Sequence, residues 1–341
     1  MKQSPSKLLI TLKQSLLTFL LTVTAVAGMY AQAPAGTYYQ TADGKCGAEL
    51  KTALCTIILP HVQRTYGDLW TDFAYTDLRP DGYIWDMYSG VTNYVLGTDQ
   101  NTGNTGDEGK NYNREHSMPN SWFNKDYPPY TDLFHMYPTD SYVNNTRGNN
   151  PFGEVGTPTW QSAEGFSKQG PARDGLGYQG VVFEPNDEYK GDFARTYFYM
   201  VTCYETYTNS QGQQRRVAGW NSPMLAQNQY PALTTWAVEM LLRWSEQDPV
   251  SKKETDRNEA VYGIQHNRNP FIDYPGLEQH IWGDKRSVPF VYDQYGNSIL
   301  ELQHTADAVG TPVFDLGGRR MDGSSLPKGI YIRGGRKFVV R

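Results

Sequence analysis

Four stretches of the chain predict helices, and in two of them, residues 188–205 and 231–248, aromatic and apolar side chains recur at helical spacing. Intervals of three and four residues between aromatic and aliphatic positions predict helices that each bury one face. The four stretches are residues 46–66 (CGAELKTALCTIILPHVQRTY), 188–205 (EYKGDFARTYFYMVTCYE), 231–248 (PALTTWAVEMLLRWSEQD) and 251–265 (SKKETDRNEAVYGIQ). The last opens on Ser251 and Glu254, which have the spacing of a capping box. We expect the aromatic residues of these helices to form the core.

Between the first two helices the pattern changes to short extended segments that are rich in polar residues. Residues 113–123 read NREHSMPNSWF, and residues 131–155 read TDLFHMYPTDSYVNNTRGNNPFGEV. The run DLFHMYP is aromatic and extended, and Thr139 has the position of an N-cap for a short helix that starts at Asp140. Gly148 would end this helix. The pattern predicts a strand, a loop, a second strand and a helix within an α+β fold.

The two ends of the chain differ from its body. Residues 1–33 combine three lysines with the apolar run LLTFLLTVTAVA, as signal peptides do, whereas the alternative, a membrane anchor, needs a longer run. Residues 307–341 read as short strands joined by glycine turns and are too few to bury a core of their own. They form either an additional hairpin of the main domain, residues 34–306, or an appended segment.

Composition and charge narrow the classes of function. The chain of 341 residues has a net charge of −5, and because both ends are basic, about −12 remains on residues 34–306. An acidic body argues against binding nucleic acid over a broad surface, since that needs a basic footprint. It is compatible with a protein that holds divalent cations. The high content of tyrosine, glycine and proline is typical of a loop-rich globular domain.

The chain has three cysteines, Cys46, Cys55 and Cys203. An exported chain can form disulfides, and Cys46 and Cys55 are close in sequence. One continuous helix would hold these two thiols too far apart, so a bridge requires a break between them. Because no Cys-x-x-Cys pair occurs, the sequence does not support a structural zinc site.

The densest group of chemically capable residues lies in the predicted strand–loop–strand–helix unit. His116 is suited to proton transfer near neutral pH, and Glu115 and Asn144 offer hard oxygen ligands for Mg²⁺ or Ca²⁺. Alternation along a strand would send Glu115 and His116 to opposite faces. Both reach one site only if the strand bulges or ends there. The alternative is that Glu115 forms a surface ion pair with Arg114.

These two segments, followed by YKGDFARTYFYM and DPVSKKETDRNEAVYGIQHNRNPFIDYP, resemble the endonuclease I family. This family comprises secreted bacterial nucleases with a ββα-metal (His-Me finger) site, and the four blocks occur in family order. The resemblance implies that His116 is the general base, and that Glu115 and Asn144 bind one divalent ion, Mg²⁺ or else Ca²⁺ or Mn²⁺. That ion would stabilise the developing phosphorane charge and the leaving 3′-oxygen, which gives 5′-phosphate products.

The resemblance also implies supporting residues. Arg147, Asn149 and Arg195 would support the site or contact phosphate, and Arg195 could instead form a structural ion pair with Asp192. The block Asn267–Asn269 would brace the site or lock a loop.

The chain departs from the family pattern in two places. Phe134 stands where family members often have the first histidine of a DLHH motif, which leaves His135 with either a structural or a direct role. No arginine lies between His116 and Asn144 to assist the leaving phosphate, and Lys125 is a distant candidate.

A local basic rim would contact the substrate, because the body as a whole is acidic. Its candidate residues are Arg114, Lys125, Arg147 and Arg195.

The segments VFDLGGRRMDG and LPKGIYIRGGRKFVVR resemble the C-terminal sorting domain of type IX secretion substrates. This resemblance implies an export machinery as partner and a location outside the cell or on its surface. The expected protein is therefore a secreted, monomeric, metal-dependent endonuclease that hydrolyses DNA, RNA or both with little sequence specificity. Two other classes stay open, namely an inactive nucleic-acid-binding relative and a cell-surface adhesin that shares the export segment.

Overall fold

The computed structural model describes residues 37–101, 103, 106–292, 313–315, 320–321, 326, 329–333 and 336–340. These residues contain seven α-helices. The helices are α1 (Gly47–Ile58), α2 (Leu69–Thr76), α3 (Ser141–Arg147), α4 (Lys190–Cys203), α5 (Thr235–Gln247), α6 (Lys252–Gln265) and α7 (Pro270–Asp273).

The strands form small antiparallel sheets. They are β1 (Tyr112–His116), β2 (Met136–Asp140), β3 (Trp160–Gln161), β4 (Lys168–Pro171), β5 (Val181–Glu184), β6 (Thr206–Thr208), β7 (Gln214–Arg216), β8 (Val313–Asp315), β9 (Arg320–Met321), β10 (Gly329–Arg333) and β11 (Arg336–Val340). The pairs β1–β2 and β6–β7 and the triplet β3–β4–β5 are separate sheets. The predicted α+β class is confirmed.

Helix α4 is the central element of the larger part of the fold. All of its residues from Lys190 to Cys203 are buried, and it packs against α1, α5 and α7. The sequence predicted one buried face, but the opposite face is covered as well, because the β1–β2 pair lies on it. Tyr197 of α4 donates a hydrogen bond to the carbonyl of Ser117, just after β1, at 2.8 Å.

The ends of two helices follow from local sequence. Ser251 caps α6, with its hydroxyl accepting from the backbone N–H of Glu254 while the Glu254 carboxylate accepts from the backbone N–H of Ser251, which confirms the capping box. Helix α1 ends at Ile58, shortly before Pro60, so it is shorter than the predicted stretch. Cys46 immediately precedes α1 and Cys55 lies within it without a break, and the thiols of Cys46, Cys55 and Cys203 are all free.

The predicted strand–loop–strand–helix order is observed, with two corrected boundaries. Residues 132–135 form a turn rather than strand, since the backbone N–H of Phe134 donates to the Asp132 side chain at 2.9 Å. The N-cap of α3 is Asp140, not Thr139. Its carboxylate accepts from the first two free N–H groups of the helix, each at 2.8 Å, while Thr139 continues β2 opposite Asn113.

The chain divides into two compact units, Met1–Phe290 and Val291–Arg341. In the second unit the strands predicted after residue 306 are present, in the sheet order β11-β10-β8-β9. The predicted boundary at residue 306 and the predicted signal peptide both lie outside the described residues. Among the described helices, none has the length and apolar character to cross a membrane.

Candidate functional site

Strand β1 presents two chemically different faces next to α3. It pairs regularly with β2 from Tyr112 to His116, where it ends, and no bulge interrupts the pairing. Alternation therefore directs Asn113 and Glu115 towards α3, and Arg114 and His116 towards an aromatic cluster on the other face. Of the two expected alternatives, a bulge or an end of the strand, the second is observed, because β1 ends at His116. Glu115 and His116 are neighbours along the chain, with side chains on opposite faces of the pair.

The hydrogen bonds of His116 define its tautomer. Its Nε2 lies 2.9 Å from the carbonyl oxygen of Tyr130, and since a carbonyl only accepts, Nε2 must carry the proton. The lone pair is then on Nδ1, which is 3.2 Å from the amide nitrogen of Asn120. The ring also stacks on Tyr66 with a centroid distance of 5.9 Å and an angle of 15°. These contacts fix the imidazole with its basic nitrogen towards Asn120.

Electrostatics keep this imidazole neutral. Burial lowers the pKa of His116 well below its ordinary value, and the neighbouring His135, Arg114 and Lys125 lower it further, while the Tyr130 carbonyl opposes the shift. A neutral imidazole at neutral pH can accept a proton. The side chain is 6% exposed, so only a small ligand such as water reaches it directly.

Glu115 forms a buried ion pair with Arg147, not with Arg114. Nη1 of Arg147 donates to Oε1 of Glu115 at 2.5 Å, and the hydroxyl of Tyr88 donates to the same oxygen at 2.8 Å. Burial raises the pKa of Glu115, and the charge of Arg147 opposes this shift. Among the described residues, no side chain donates to the second oxygen, Oε2.

Arg147 is a structural residue in this arrangement. It is fully buried, and its Nη2 donates to the carbonyl of Ser117 at 2.7 Å. Its guanidinium carbon lies 4.3 Å from the ring centroid of Phe152. The predicted contact of Arg147 with phosphate is not compatible with this enclosed position, because Nη1 and Nη2 donate to Glu115 and to the carbonyls of His116 and Ser117. Nε has no partner among the described residues, but it is buried as well.

Asn144 lies on the same side as Glu115. It is half-buried on α3, and its Nδ2 donates to Oδ1 of Asn113 at 2.7 Å. This bond orients the amide so that Oδ1 of Asn144, to which no described residue donates, is available as a ligand. An amide oxygen and one carboxylate oxygen are the donor types that Mg²⁺ and Ca²⁺ prefer. In the described part of the chain, no group of three or more His, Cys, Asp or Glu side chains forms a metal site, so an ion here would need water or substrate as further ligands.

The predicted substrate-binding residues occupy different environments. Arg114 is half-buried, with its guanidinium carbon 3.6 Å from the ring centroid of Tyr66 and 4.2 Å from that of Trp70. Lys125 is exposed and has a left-handed backbone conformation with φ +55°. Asn149 is exposed after the end of α3. Lys125 and Asn149 are therefore accessible, whereas Arg114 is held by aromatic rings.

Arg195 lies in α4, away from these contacts. It forms a buried bidentate pair with Glu254 of α6, at 2.5 and 2.9 Å, while Asp192 pairs with Lys253 at 2.5 Å. The Asp192–Arg195 ion pair is thus replaced by two pairs between helices. Asn269 caps α7 and donates to the carbonyl of Arg195 at 3.2 Å. Arg195 therefore joins α4 to α6 rather than facing a substrate.

His135 is enclosed behind His116. It is completely buried, its Nε2 lies 2.6 Å from the carbonyl of Pro129, and its Nδ1 has no hydrogen-bond partner among the described residues. Its ring centroid is 5.5 Å from that of His116. Burial lowers the pKa of His135 to about 4, against the attraction of Asp132. These contacts indicate a structural role, and the adjacent Phe134 is likewise buried.

The low pKa of His135 predicts acid destabilisation. Between pH ~6.5 and ~4 the unfolded chain binds a proton at this position that the folded protein does not, so the free energy of unfolding falls as the pH falls, by about 3 kcal/mol in total. We expect His135→Gln, which keeps a donor for Pro129, to flatten the pH dependence measured by urea unfolding. His266→Asn, at an exposed left-handed position, is the control. An unchanged slope in His135→Gln would contradict the assignment.

The structure adds site residues that the sequence did not single out. The Asn120 amide contacts Nδ1 of His116, and the Tyr130 carbonyl accepts from Nε2. The Tyr88 hydroxyl donates to Glu115. The sequence could have indicated Asn113, because it lies two residues before Glu115 and therefore on the same face of the strand. The roles of Asn120, Tyr130 and Tyr88 depend on tertiary contacts and had no such signal.

Comparison with known proteins identifies the family of the chain. The model of the endonuclease I family matches residues 46–276, which include β1, β2 and all seven helices. The chain is 35% identical to the extracellular ribonuclease of Bacillus amyloliquefaciens, over 78% of this chain and 84% of the relative. It is also 35% identical to the extracellular ribonuclease of Bacillus subtilis (strain 168), over 77% of this chain and 83% of the relative. The chain belongs to the endonuclease I family and is a nuclease that hydrolyses phosphodiester bonds.

Proposed function

We propose that this nuclease is a secreted, metal-dependent endonuclease in which the β1–β2–α3 unit is a ββα-metal site. The observation that carries the proposal is the tautomer of His116, a neutral imidazole whose Nδ1 is the basic atom. It adjoins, along the chain, a carboxylate that keeps one oxygen free of side-chain donors. Secretion is supported by the signal-like residues 1–33 and by the two extracellular relatives.

In this proposal Glu115 and Asn144 would hold one divalent ion through Oε2 and Oδ1. Such an ion, when bound, stabilises negative charge on the phosphate and on the leaving 3′-oxygen. Arg147 holds the Glu115 carboxylate in place, and Asn113 holds the Asn144 amide. The two donor oxygens are thereby preorganised before any ion binds, which lowers the cost of ordering them.

The proton is handled by His116. Nδ1 takes a proton from the water that attacks phosphorus, and this water replaces the Asn120 amide as the hydrogen-bond partner of Nδ1. The Nε2–H bond to the Tyr130 carbonyl stabilises the imidazolium that forms. The P–O3′ bond breaks, and the leaving 3′-oxygen takes a proton from solvent, which gives a 5′-phosphate and a 3′-hydroxyl. Both curated relatives are named ribonucleases, so RNA is the first substrate to test, beside DNA.

The metal proposal predicts a specific defect in Asn144→Ala. We expect the Mg²⁺ concentration for half-maximal cleavage of a plasmid and of a matched RNA to rise at least about tenfold, because one of two protein ligands is lost. Chelation should abolish cleavage by the native protein. Direct titration of Mn²⁺ by calorimetry supplies a readout independent of activity and should show the same weakening.

The control for this substitution is Asn145→Ala, which removes an exposed amide from the next position of α3. Asn145→Ala should have the Mn²⁺ affinity and the Mg²⁺ concentration for half-maximal cleavage of the native protein. Cleavage that resists chelators, or equal Mn²⁺ affinities of the native protein and Asn144→Ala, would refute the assignment of the ion to this site.

A further inference from the structure

The β6–β7 hairpin is an exposed basic element on an acidic protein. Its strands pair antiparallel with Tyr207 opposite Arg215, and all three residues of β7, Gln214–Arg216, are exposed. Tyr207 on the facing strand is buried. The hairpin thus packs through β6 and displays two adjacent arginines on its outer strand.

The hairpin is fastened to the loop that follows His116. Asp126 in that loop accepts from the Tyr207 hydroxyl at 3.3 Å and from the Asn209 amide at 3.1 Å. Arg215 approaches the same carboxylate at 3.4 Å. The loop also contains Asn120, which contacts Nδ1 of His116. Hairpin and candidate base are therefore attached to one segment of about ten residues.

A groove lies between the hairpin and this loop. Its volume is about 620 Å³, and its walls include Asn124 and Asp126 on one side and Gln211, Arg215 and Arg216 on the other. The lining is mainly polar, and the aromatic residues at its base are buried. Such a groove suits an extended, charged, hydrated ligand rather than an apolar one.

The arginines at this groove are only partly neutralised. Arg216 has no ion-pair or hydrogen-bond partner among the described residues. Arg215 is 48% exposed; it donates to the side chain of Gln213 at 2.6 Å and lies 3.4 Å from the Asp126 carboxylate. Lys125 lies in sequence between the groove residues Asn124 and Asp126 and is exposed. Its positive charge contributes to the lowered pKa of His116. By contrast, the buried arginines Arg147 and Arg195 are paired with carboxylates. Unpaired arginines are the groups that bind phosphate oxygens.

We propose that Arg215 and Arg216, with Lys125, bind the phosphodiester backbone of a single nucleic-acid strand beyond the scissile phosphate. This inference rests on the proposed function, and it names the surface that positions the substrate for that site. The hairpin supplies the local basic footprint that an acidic body otherwise lacks. The arginines are positioning residues, so they act on affinity and not on the chemical step.

The test measures binding without cleavage. In a His116→Ala background, a fluorescein-labelled single-stranded oligonucleotide of about twenty nucleotides is titrated by anisotropy at several salt concentrations. The logarithm of the binding constant falls linearly with the logarithm of the salt concentration, and each lost phosphate contact makes this slope less steep by about 0.7. Arg215→Gln with Arg216→Gln should therefore lower the slope by about 1.4, which weakens binding roughly 25-fold at 0.1 M salt. Arg216→Gln alone should give about half the change in slope and leaves the Arg215–Asp126 contact intact.

The charge-matched control is Lys285→Gln with Arg286→Gln, an exposed basic pair elsewhere in the same unit. It should retain the slope of the background protein. When Arg215→Gln and Arg216→Gln are made in the protein that retains His116, we expect KM to rise with little change in kcat. Equal slopes for the hairpin variant and the control would overturn this inference, as would failure of the background protein to bind.

The two proposals fail separately. If the native protein does not cleave in any divalent metal, the proposed function is wrong, but the binding slopes still decide whether the hairpin contacts phosphate. If the native protein cleaves and the slopes are equal, the function stands and the hairpin assignment is wrong.

Discussion

Replacing His116 with alanine is expected to reduce kcat by about 10²- to 10⁴-fold, the usual contribution of a general base. The reason is specific to one atom. Nε2 donates to the Tyr130 carbonyl, so only Nδ1 can take the proton from water. Burial lowers the pKa of this imidazole well below its ordinary value, and the base is therefore unprotonated at neutral pH. Cleavage of a labelled RNA under single-turnover conditions measures the effect.

Two comparisons make this result interpretable. His266→Asn removes an exposed histidine at a left-handed position that asparagine tolerates, and it should leave kcat unchanged. His116→Ala also removes contacts with Tyr66 and Tyr130, so its circular dichroism and melting temperature must show that it is folded under the assay conditions. A folded His116→Ala protein with more than about a third of the native kcat would exclude His116 as the base.

Arg147→Met is expected to lower the free energy of unfolding by about 3–5 kcal/mol, the usual cost of removing one partner of a buried ion pair. The substitution leaves Glu115 charged and buried, with the Tyr88 hydroxyl as its one remaining side-chain donor among the described residues. It also removes a donor to the carbonyl of His116 and one of the two side-chain donors to the carbonyl of Ser117. The Arg147 side chain is fully buried. Urea unfolding followed by tryptophan fluorescence measures the change in the free energy of unfolding.

The matched control for Arg147→Met is Lys252→Met, which breaks an exposed pair with Asp256. Exposed pairs of this kind contribute less than about 1 kcal/mol. Combining Arg147→Met with Glu115→Gln should recover part of the loss, because the uncompensated charge is removed. If Arg147→Met were as stable as the control but inactive, Arg147 would act on the substrate instead of on Glu115.

The sequence determined the elements whose signals are local. Helices α4 and α5 follow from apolar residues three and four positions apart. Helix α6 follows from its capping box, which was readable because its two partners lie three residues apart. The strand–loop–strand–helix order around His116 was also readable. Its boundaries moved by one to four residues, because pairing with β1 extends β2 to Asp140, and because a turn holds residues 132–135 out of the strand.

The tertiary structure decided what the charged residues do. Spacing on α3 put Asn144 and Arg147 on one face, but only the packing of that face on β1 shows that Asn144 meets Asn113 while Arg147 meets Glu115. Arginine in a family motif was compatible with a phosphate contact. A charge buried without water must instead be paired, and the partner comes from a segment 32 residues away.

The sequence by itself thus determined the family, the order of the elements and the candidate base. The position of His116 on a strand and its capacity for proton transfer are properties of a short segment. Its tautomer was not readable, because it depends on the carbonyl of Tyr130 and the amide of Asn120. The exposed arginines of the β6–β7 hairpin likewise had no local signal. Their relation to the site exists only because Asp126 ties the hairpin to the loop after His116, and long-range contacts of that kind are fixed by packing, not by periodicity.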